Sequence, residues 1–169
     1  KPHIVLLDAG SVGDDFSWPD FASLGQVTAL AFTNPAEVVE RAKNADIVLT
    51  NKVYLRKEFI EALPKLKYVG TLATGFNQVA IETAAARGIP VCNVPSYSTP
   101  SVVQHVFALM FELASKISLH AQAVRNGEWG KSTQFCFWEE PLIELSGKTL
   151  GIVGFGDIGQ AVARAGHAF

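Results

Sequence analysis

The stretch Thr149-Leu150-Gly151-Ile152-Val153-Gly154-Phe155-Gly156-Asp157-Ile158-Gly159 decides how this 169-residue chain is read. Thr149–Val153 is short, apolar and β-branched, the composition of a buried strand, and Gln160–Phe169 has the composition of a helix. Between them the glycines fall as G-x-G-x-x-G, and each has its own physical task. Gly154 permits a tight turn, Gly156 lets backbone come close to a ligand, and Gly159 lets helix and strand pack together. The free N–H groups and partial positive charge of the helix N-terminus then favour a phosphate. Strand, loop and helix in this order meet the structural condition for a dinucleotide fingerprint, so Gly154, Gly156 and Gly159 are predicted cofactor-binding residues. A bare strand–helix turn is the other reading of the same letters. An acidic residue gripping the ribose belongs ~20 residues further on, and only ten residues follow Gly159.

Upstream, one unit repeats. Apolar runs at His3–Asp8, Gln26–Ala31, Ile47–Thr50, Tyr68–Leu72 and Pro90–Val94 begin 21 to 23 residues apart, room for a strand, a short helix and two tight loops. The runs do not alternate, which predicts strands covered on both faces. Asn34-Pro35-Ala36-Glu37 supplies a cap, a first-turn proline and a reach-back carboxylate for a helix to about Ala42. Arg56–Leu63 is stopped by Pro64, and Ile81–Arg87 by Gly88 and Pro90. Lys1 to about Pro95 thus reads as a five-stranded, flavodoxin-like α/β unit of parallel strands.

A longer helix is predicted over Ser101–Asn126, where Val103, Val106, Met110, Leu113, Ile117 and Val124 recur at helical steps and Phe107, Leu109 and Phe111 widen the apolar face; it is expected to be buried between two bodies. Residues Glu128–Ser146 read as irregular, with a high density of aromatics in Trp129, Phe135, Phe137 and Trp138. Such a segment predicts an interface.

A net charge of −2 from 14 Lys+Arg and 16 Asp+Glu gives no electrostatic attraction for nucleic acid or an anionic membrane, so neither is an expected partner. No run reaches ~18 uncharged apolar residues, and the opening His3–Leu7 run meets Asp8 too soon for a signal peptide, which predicts a soluble, cytoplasmic protein. Cys92 and Cys136 have no paired spacing, so neither a disulfide framework nor a metal site is expected.

Two more loops carry chemistry. Ala73-Thr74-Gly75-Phe76-Asn77 follows the Tyr68–Leu72 strand at the carboxyl edge, where open α/β sheets bind ligands. The N–H groups of Thr74 and Gly75 suit a carboxylate nest, and the same residues suit an ordinary βα turn. Lys52 sits at the equivalent edge of the preceding strand, either holding an acid or merely solvated. His105 and His120 fall on the long helix and read as packing residues, and Asp14-Asp15 and Glu139-Glu140 as solvated pairs.

Taken together, Ala73–Asn77, Arg87-Gly88-Ile89-Pro90-Val91, Asn93-Val94-Pro95, Ser101-Val102-Val103-Gln104-His105 and Gly147-Lys148-Thr149-Leu150-Gly151 leading into Gly154–Gly159 resemble the D-isomer-specific 2-hydroxyacid dehydrogenases over essentially the whole chain. Asn51-Lys52-Val53 and Phe135-Cys136-Phe137-Trp138 are most similar to the glycerate dehydrogenases, also called hydroxypyruvate reductases. The resemblance implies a flavodoxin-like substrate domain over residues 1–98. Residues 99–169 would then be a linking helix and the first βα unit of a Rossmann domain for NAD or NADP, with the active site in the cleft between the domains. It implies reduction of a small 2-keto acid (hydroxypyruvate or glyoxylate) by hydride, with Thr74 and Gly75 on the substrate side and Phe155, Asp157 and Ile158 in the pyrophosphate loop with the three glycines; Lys52 is placed on the substrate side by its position at the strand edge. The arginine, glutamate and histidine that such enzymes use for catalysis are expected beyond residue 169, so none is assigned in this chain, and a polypeptide ending there is expected to be inactive. A non-catalytic dinucleotide sensor of the corepressor type is the alternative on the same scaffold. Three departures stand out. Asp157 replaces an arginine common in relatives, Val106 replaces a threonine, and Asn77 and Ala80 replace aspartates. An acid beside a pyrophosphate is unfavourable, so Asp157 is expected to face solvent or to lower cofactor affinity.

Overall fold

The apolar runs of the first half become the strands β1 His3–Leu6, β2 Gln26–Ala29, β3 Ile47–Thr50, β4 Tyr68–Thr71 and β5 Val91–Cys92 of the computed structural model, which describes residues 1–13 and 18–169. The pair Asp14-Asp15 lies outside the described residues. All neighbours pair in parallel in the order β2-β1-β3-β4-β5, the flavodoxin-like order. Two compact units follow one another along the chain, Lys1–Pro95 and Ser96–Phe169.

In the first unit, successive residues of β1 are buried on opposite faces. Val5 and Leu7 join Val38, Ala42, Val48, Ile60, Leu63, Val69 and Ala84 in one cluster, while Ile4 and Leu6 join Ala9 and Leu49 in a second. The helices α1 Val38–Ala42, α2 Lys57–Glu61 and α3 Ile81–Ala86 contribute only to the first cluster. The second is covered by Phe21 from the 3₁₀ segment Trp18–Ser23, within the β1-to-β2 connection. Right-handed crossovers account for this division, because the step from β1 to β2 runs opposite to all later steps and so lies on the opposite face. The expected helix after Asn34 begins as a 3₁₀ turn at Pro35–Glu37, and the Glu37 carboxylate accepts the Asn34 N–H at 3.1 Å as the sequence predicted. Asp46 ties the amino edge of the sheet, accepting the His3 N–H at 2.9 Å and pairing with Lys67 at 2.8 Å; the Lys67 bond, with that N–H, holds its carboxyl below the usual range.

In the second unit the predicted long helix is two, α4 Thr99–Ser115 and α5 Ile117–Arg125, bent by 58° at Lys116. Lys116 is left-handed (φ 49°); its N–H still reaches the Glu112 carbonyl, and the Glu112 carboxylate accepts the Ser118 N–H to start the next helix. Burial of this region is also less than expected, for Phe107 and Ala114 are buried in α4 but Leu113 is 74% exposed. Glu140 is solvent-exposed, as the sequence reading expects. It also pairs with Lys116 at 2.6 Å, and that bond lowers its pKa. His120 is a packing histidine, set between the Lys116 carbonyl and the Glu139 N–H, whereas His105 is exposed.

The segment expected to be irregular contains a short helix, α6 Glu128–Lys131. The strand expected at Thr149–Val153 has no ladder partner among the described residues; only five strands pair, and none lies in the second unit. The last helix, α7 Asp157–Gly166, begins three residues earlier than predicted and packs on α4 through Phe107 and the Phe111–Phe169 ring pair at 4.9 Å. No single helix among the described residues is long and apolar enough to cross a membrane.

Candidate functional site

Within the first unit the carboxyl edge of the sheet is organised by a residue that the sequence reading passed over. The carboxylate of Asp8, 4% exposed at the end of β1, accepts the backbone N–H groups of Asn51 at 2.9 Å, Lys52 at 2.5 Å and Val53 at 3.2 Å. These lie at the reversal in strand order between β1 and β3, where open α/β sheets form their ligand crevice. The buried Thr50 hydroxyl donates to the Val53 carbonyl at 2.9 Å, and the Asn51 amide donates to Ser11, so the Lys52 loop is held from both sides. A local signal existed for Asp8, an acid directly ending a buried strand, but its partners are more than forty residues away.

The loop after β4 is tied to the same place. Leu55 donates its N–H to the Gln78 carbonyl at 2.8 Å and accepts from the Ala80 N–H at 2.9 Å, and the Gln78 amide donates to the Asn51 carbonyl at 3.2 Å. Lys52 and Gly75 thereby line one cavity of about 190 Å³ with Asn51, Tyr54, Asn77 and Gln78. The ammonium of Lys52 makes no ion pair among the described residues. Thr74 is placed differently. Its hydroxyl donates to the Val94 carbonyl at 3.1 Å and its carbonyl accepts from Asn93 at 2.8 Å, so its side chain is spent on the loop and only its backbone is free. No acceptor in the described residues meets the N–H of Thr74 or Gly75. The cavity therefore brings Lys52 together with Gly75, whose N–H is free, while Thr74 is not among its lining residues and none of them is an arginine or histidine. A larger and more apolar cavity of about 520 Å³ lies toward β2; Lys52 and Tyr54 line both.

The second unit carries the glycine loop, and its three glycines are needed for three different reasons. Gly154 has φ +89°, open to glycine but strained for other residues. A Cβ on Gly159 would stand 2.2 Å from the Gly154 carbonyl oxygen. A Cβ on Gly156 would meet nothing within 4 Å, and its φ of −78° suits any residue. The fold thus requires Gly154 and Gly159 but leaves the space over Gly156 empty. Gly156 caps α7, and the N–H groups of Gly156, Asp157 and Ile158 have no acceptor among the described residues. Phe155 is 64% exposed, and its carbonyl accepts from the Gln160 amide at 3.1 Å. Asp157 is exposed as expected, and its carboxylate accepts a hydrogen bond from Ser96 at 2.5 Å. An open backbone, free N–H groups and a helix N-terminus together form a cradle that fits a diphosphate.

A small cavity edged by Lys52 and Gly75 on a flavodoxin-like unit and an open glycine loop at a helix N-terminus on a second unit are the two candidate sites. The family model of the D-isomer specific 2-hydroxyacid dehydrogenase catalytic domain matches residues 14–155, and the chain belongs to that family. It is 41% identical over 169 residues to a hydroxypyruvate reductase of Blautia hydrogenotrophica, covering 98% of this chain and 52% of that protein. It is also 41% identical over 134 residues to a glycerate dehydrogenase of Methylorubrum extorquens, covering 79% of this chain and 43% of that protein. Among solved structures, an acyclic imino acid reductase in complex with NADPH and D-Arg matches with a TM-score of 0.81 at 29% identity, over 98% of this chain and 53% of that one. The chain spans about half the length of the curated relatives it matches.

Proposed function

We propose that the protein carrying this chain is an NAD(P)-dependent oxidoreductase that reduces a small 2-keto acid, hydroxypyruvate or glyoxylate, to the corresponding 2-hydroxy acid. The observation that carries this reading is the empty space over Gly156 at a capped helix N-terminus. The names of the relatives support it, since they are hydroxypyruvate reductases, glyoxylate reductases and glycerate dehydrogenases. In this reading residues 99–169 belong to the dinucleotide domain, and Gly154, Phe155, Gly156, Asp157, Ile158 and Gly159 hold the pyrophosphate of NAD or NADP. When bound in its reduced form, the dinucleotide would supply the hydride from its nicotinamide ring. Residues 1–98 form the substrate domain, in which the N–H groups of Thr74 and Gly75 bind the substrate carboxylate and Lys52 adds a positive charge. The cavity at Gly75 contains no arginine or histidine to clamp the acid or protonate its carbonyl, so in this reading those groups are not supplied by its lining.

Loss of NADH or NADPH absorbance with hydroxypyruvate and glyoxylate tests the proposal. The whole polypeptide is expected to turn over and a version ending at Phe169 is expected not to, because general acid catalysis and orientation are each worth orders of magnitude. Nucleotide binding without turnover of any 2-keto acid would overturn the enzyme in favour of a sensor.

The same reading makes the protein cytoplasmic and a homodimer. Phe135 is 95% exposed and Trp138 65%, while Trp129 holds the Phe135 carbonyl through its indole N–H at 3.1 Å, so the apolar segment is braced rather than buried. Trp129→Ala is expected to shift the dimer toward monomer in analytical ultracentrifugation; a wild-type protein that sediments as a monomer contradicts the assembly.

A further inference from the structure

We propose that Ser96 is a positioning residue for dinucleotide binding, holding the carboxylate of Asp157 off the N-terminus of α7. The proposal rests on the reading of Gly154–Gly159 as a pyrophosphate loop. Ser96 is the first residue of the second unit, immediately after Pro95, and its backbone is left-handed with φ 57°. That conformation suits glycine or asparagine better than serine, so the serine is explained by its side chain. Its hydroxyl donates to Asp157 Oδ2 at 2.5 Å across sixty-one positions of sequence.

Asp157 is the first residue of α7 and stands directly beside Gly156. An unheld aspartate at a helix start does two things to an anion site. From the first helical position its carboxylate can fold back toward the unpaired N–H groups at the helix start. It also repels a diphosphate across a few ångströms. The Ser96 bond commits one carboxylate oxygen elsewhere and leaves the Gly156, Asp157 and Ile158 N–H groups without a partner. Other charges do not perform this task. Arg164 lines the same cavity of about 680 Å³ as Ser96 and Asp157, yet forms no ion pair with Asp157 among the described residues. An acid beside the glycine loop is thereby made compatible with an anionic ligand.

The test uses fluorescence titration of the whole polypeptide with NADH and NADPH, together with thermal melting. Ser96→Gly removes the hydroxyl while relieving the backbone, so it is expected to melt no lower than wild type but to bind the dinucleotide about tenfold more weakly at low salt. Because the deficit is electrostatic, it is expected to shrink several-fold at about 0.5 M salt. Asp157→Asn is expected to bind more tightly than wild type, and Ser96→Gly added to it is expected to cost nothing further. An equal loss from Ser96→Gly with and without Asp157, or no loss in either, overturns the positioning role. A wild-type protein that binds neither nucleotide overturns the reading of the glycine loop itself.

Discussion

Gly156→Val is expected to abolish NAD(P)H binding in the whole polypeptide while leaving its melting temperature nearly unchanged. The fold sets no limit at this position, since a Cβ there meets nothing and the backbone is extended in ψ with an ordinary φ. A branched side chain does fill the space through which phosphate oxygens must approach the free N–H groups. Losing two charge-assisted hydrogen bonds at roughly 1.5–3 kcal/mol each weakens binding by more than a hundredfold. Gly159→Val is expected to behave differently. Its Cβ would lie 2.2 Å from a backbone carbonyl oxygen, which cannot swing aside, so the loop and α7 must separate. That costs at least ~1–3 kcal/mol of stability, the usual range for overpacking. Thermal melting beside fluorescence titration distinguishes the two variants. Unchanged affinity in Gly156→Val would remove the pyrophosphate reading.

Asp8→Ala carries the second large effect, this time in the first unit. Three consecutive backbone N–H groups converge on one buried carboxylate. Without it they are orphaned, and a buried unsatisfied donor costs about 1–3 kcal/mol, so the expected loss is ~3–4 kcal/mol in urea unfolding. The Lys52 loop loses its anchor as well. In variants that still fold, the KM for the keto acid is therefore expected to rise more than kcat falls, since the role proposed for the loop is to bind substrate and not to donate a proton. A stability loss under ~1 kcal/mol would show that water satisfies these amides and that the cluster holds nothing together.

The five-stranded sheet was legible because each strand announces itself locally, by an apolar run of strand length punctuated by Gly, Pro or a cap. Glu37 did what its position three residues after Asn34 predicts. The glycine loop was legible for the same reason, as its constraints are steric and act over six residues. The break at Lys116 was not. Leu113, Ile117 and Val124 keep the helical period across it, and neither glycine nor proline marks the turn; Glu112 makes it by bonding forward to Ser118. Thr149–Val153 has strand composition, but a strand is defined by its neighbour, and none is paired with it here. Asp8 looked like the end of a hydrophobic run because nothing near it reveals which amides it will meet.

The order β2-β1-β3-β4-β5 also has a consequence for how the sheet is assembled during synthesis. β1 leaves the ribosome first and β2 pairs along one side of it. β3 then finds the other side free, β4 adds to β3, and β5 adds to β4. Every new strand meets an open edge, and no pair already made has to separate to admit a later one. Vectorial synthesis and final topology agree at each step, which limits the time that an unpaired edge is offered to another chain. Of the two edge strands, β2 and β5, the later one is the two-residue β5, whose shortness gives a foreign strand little to hold.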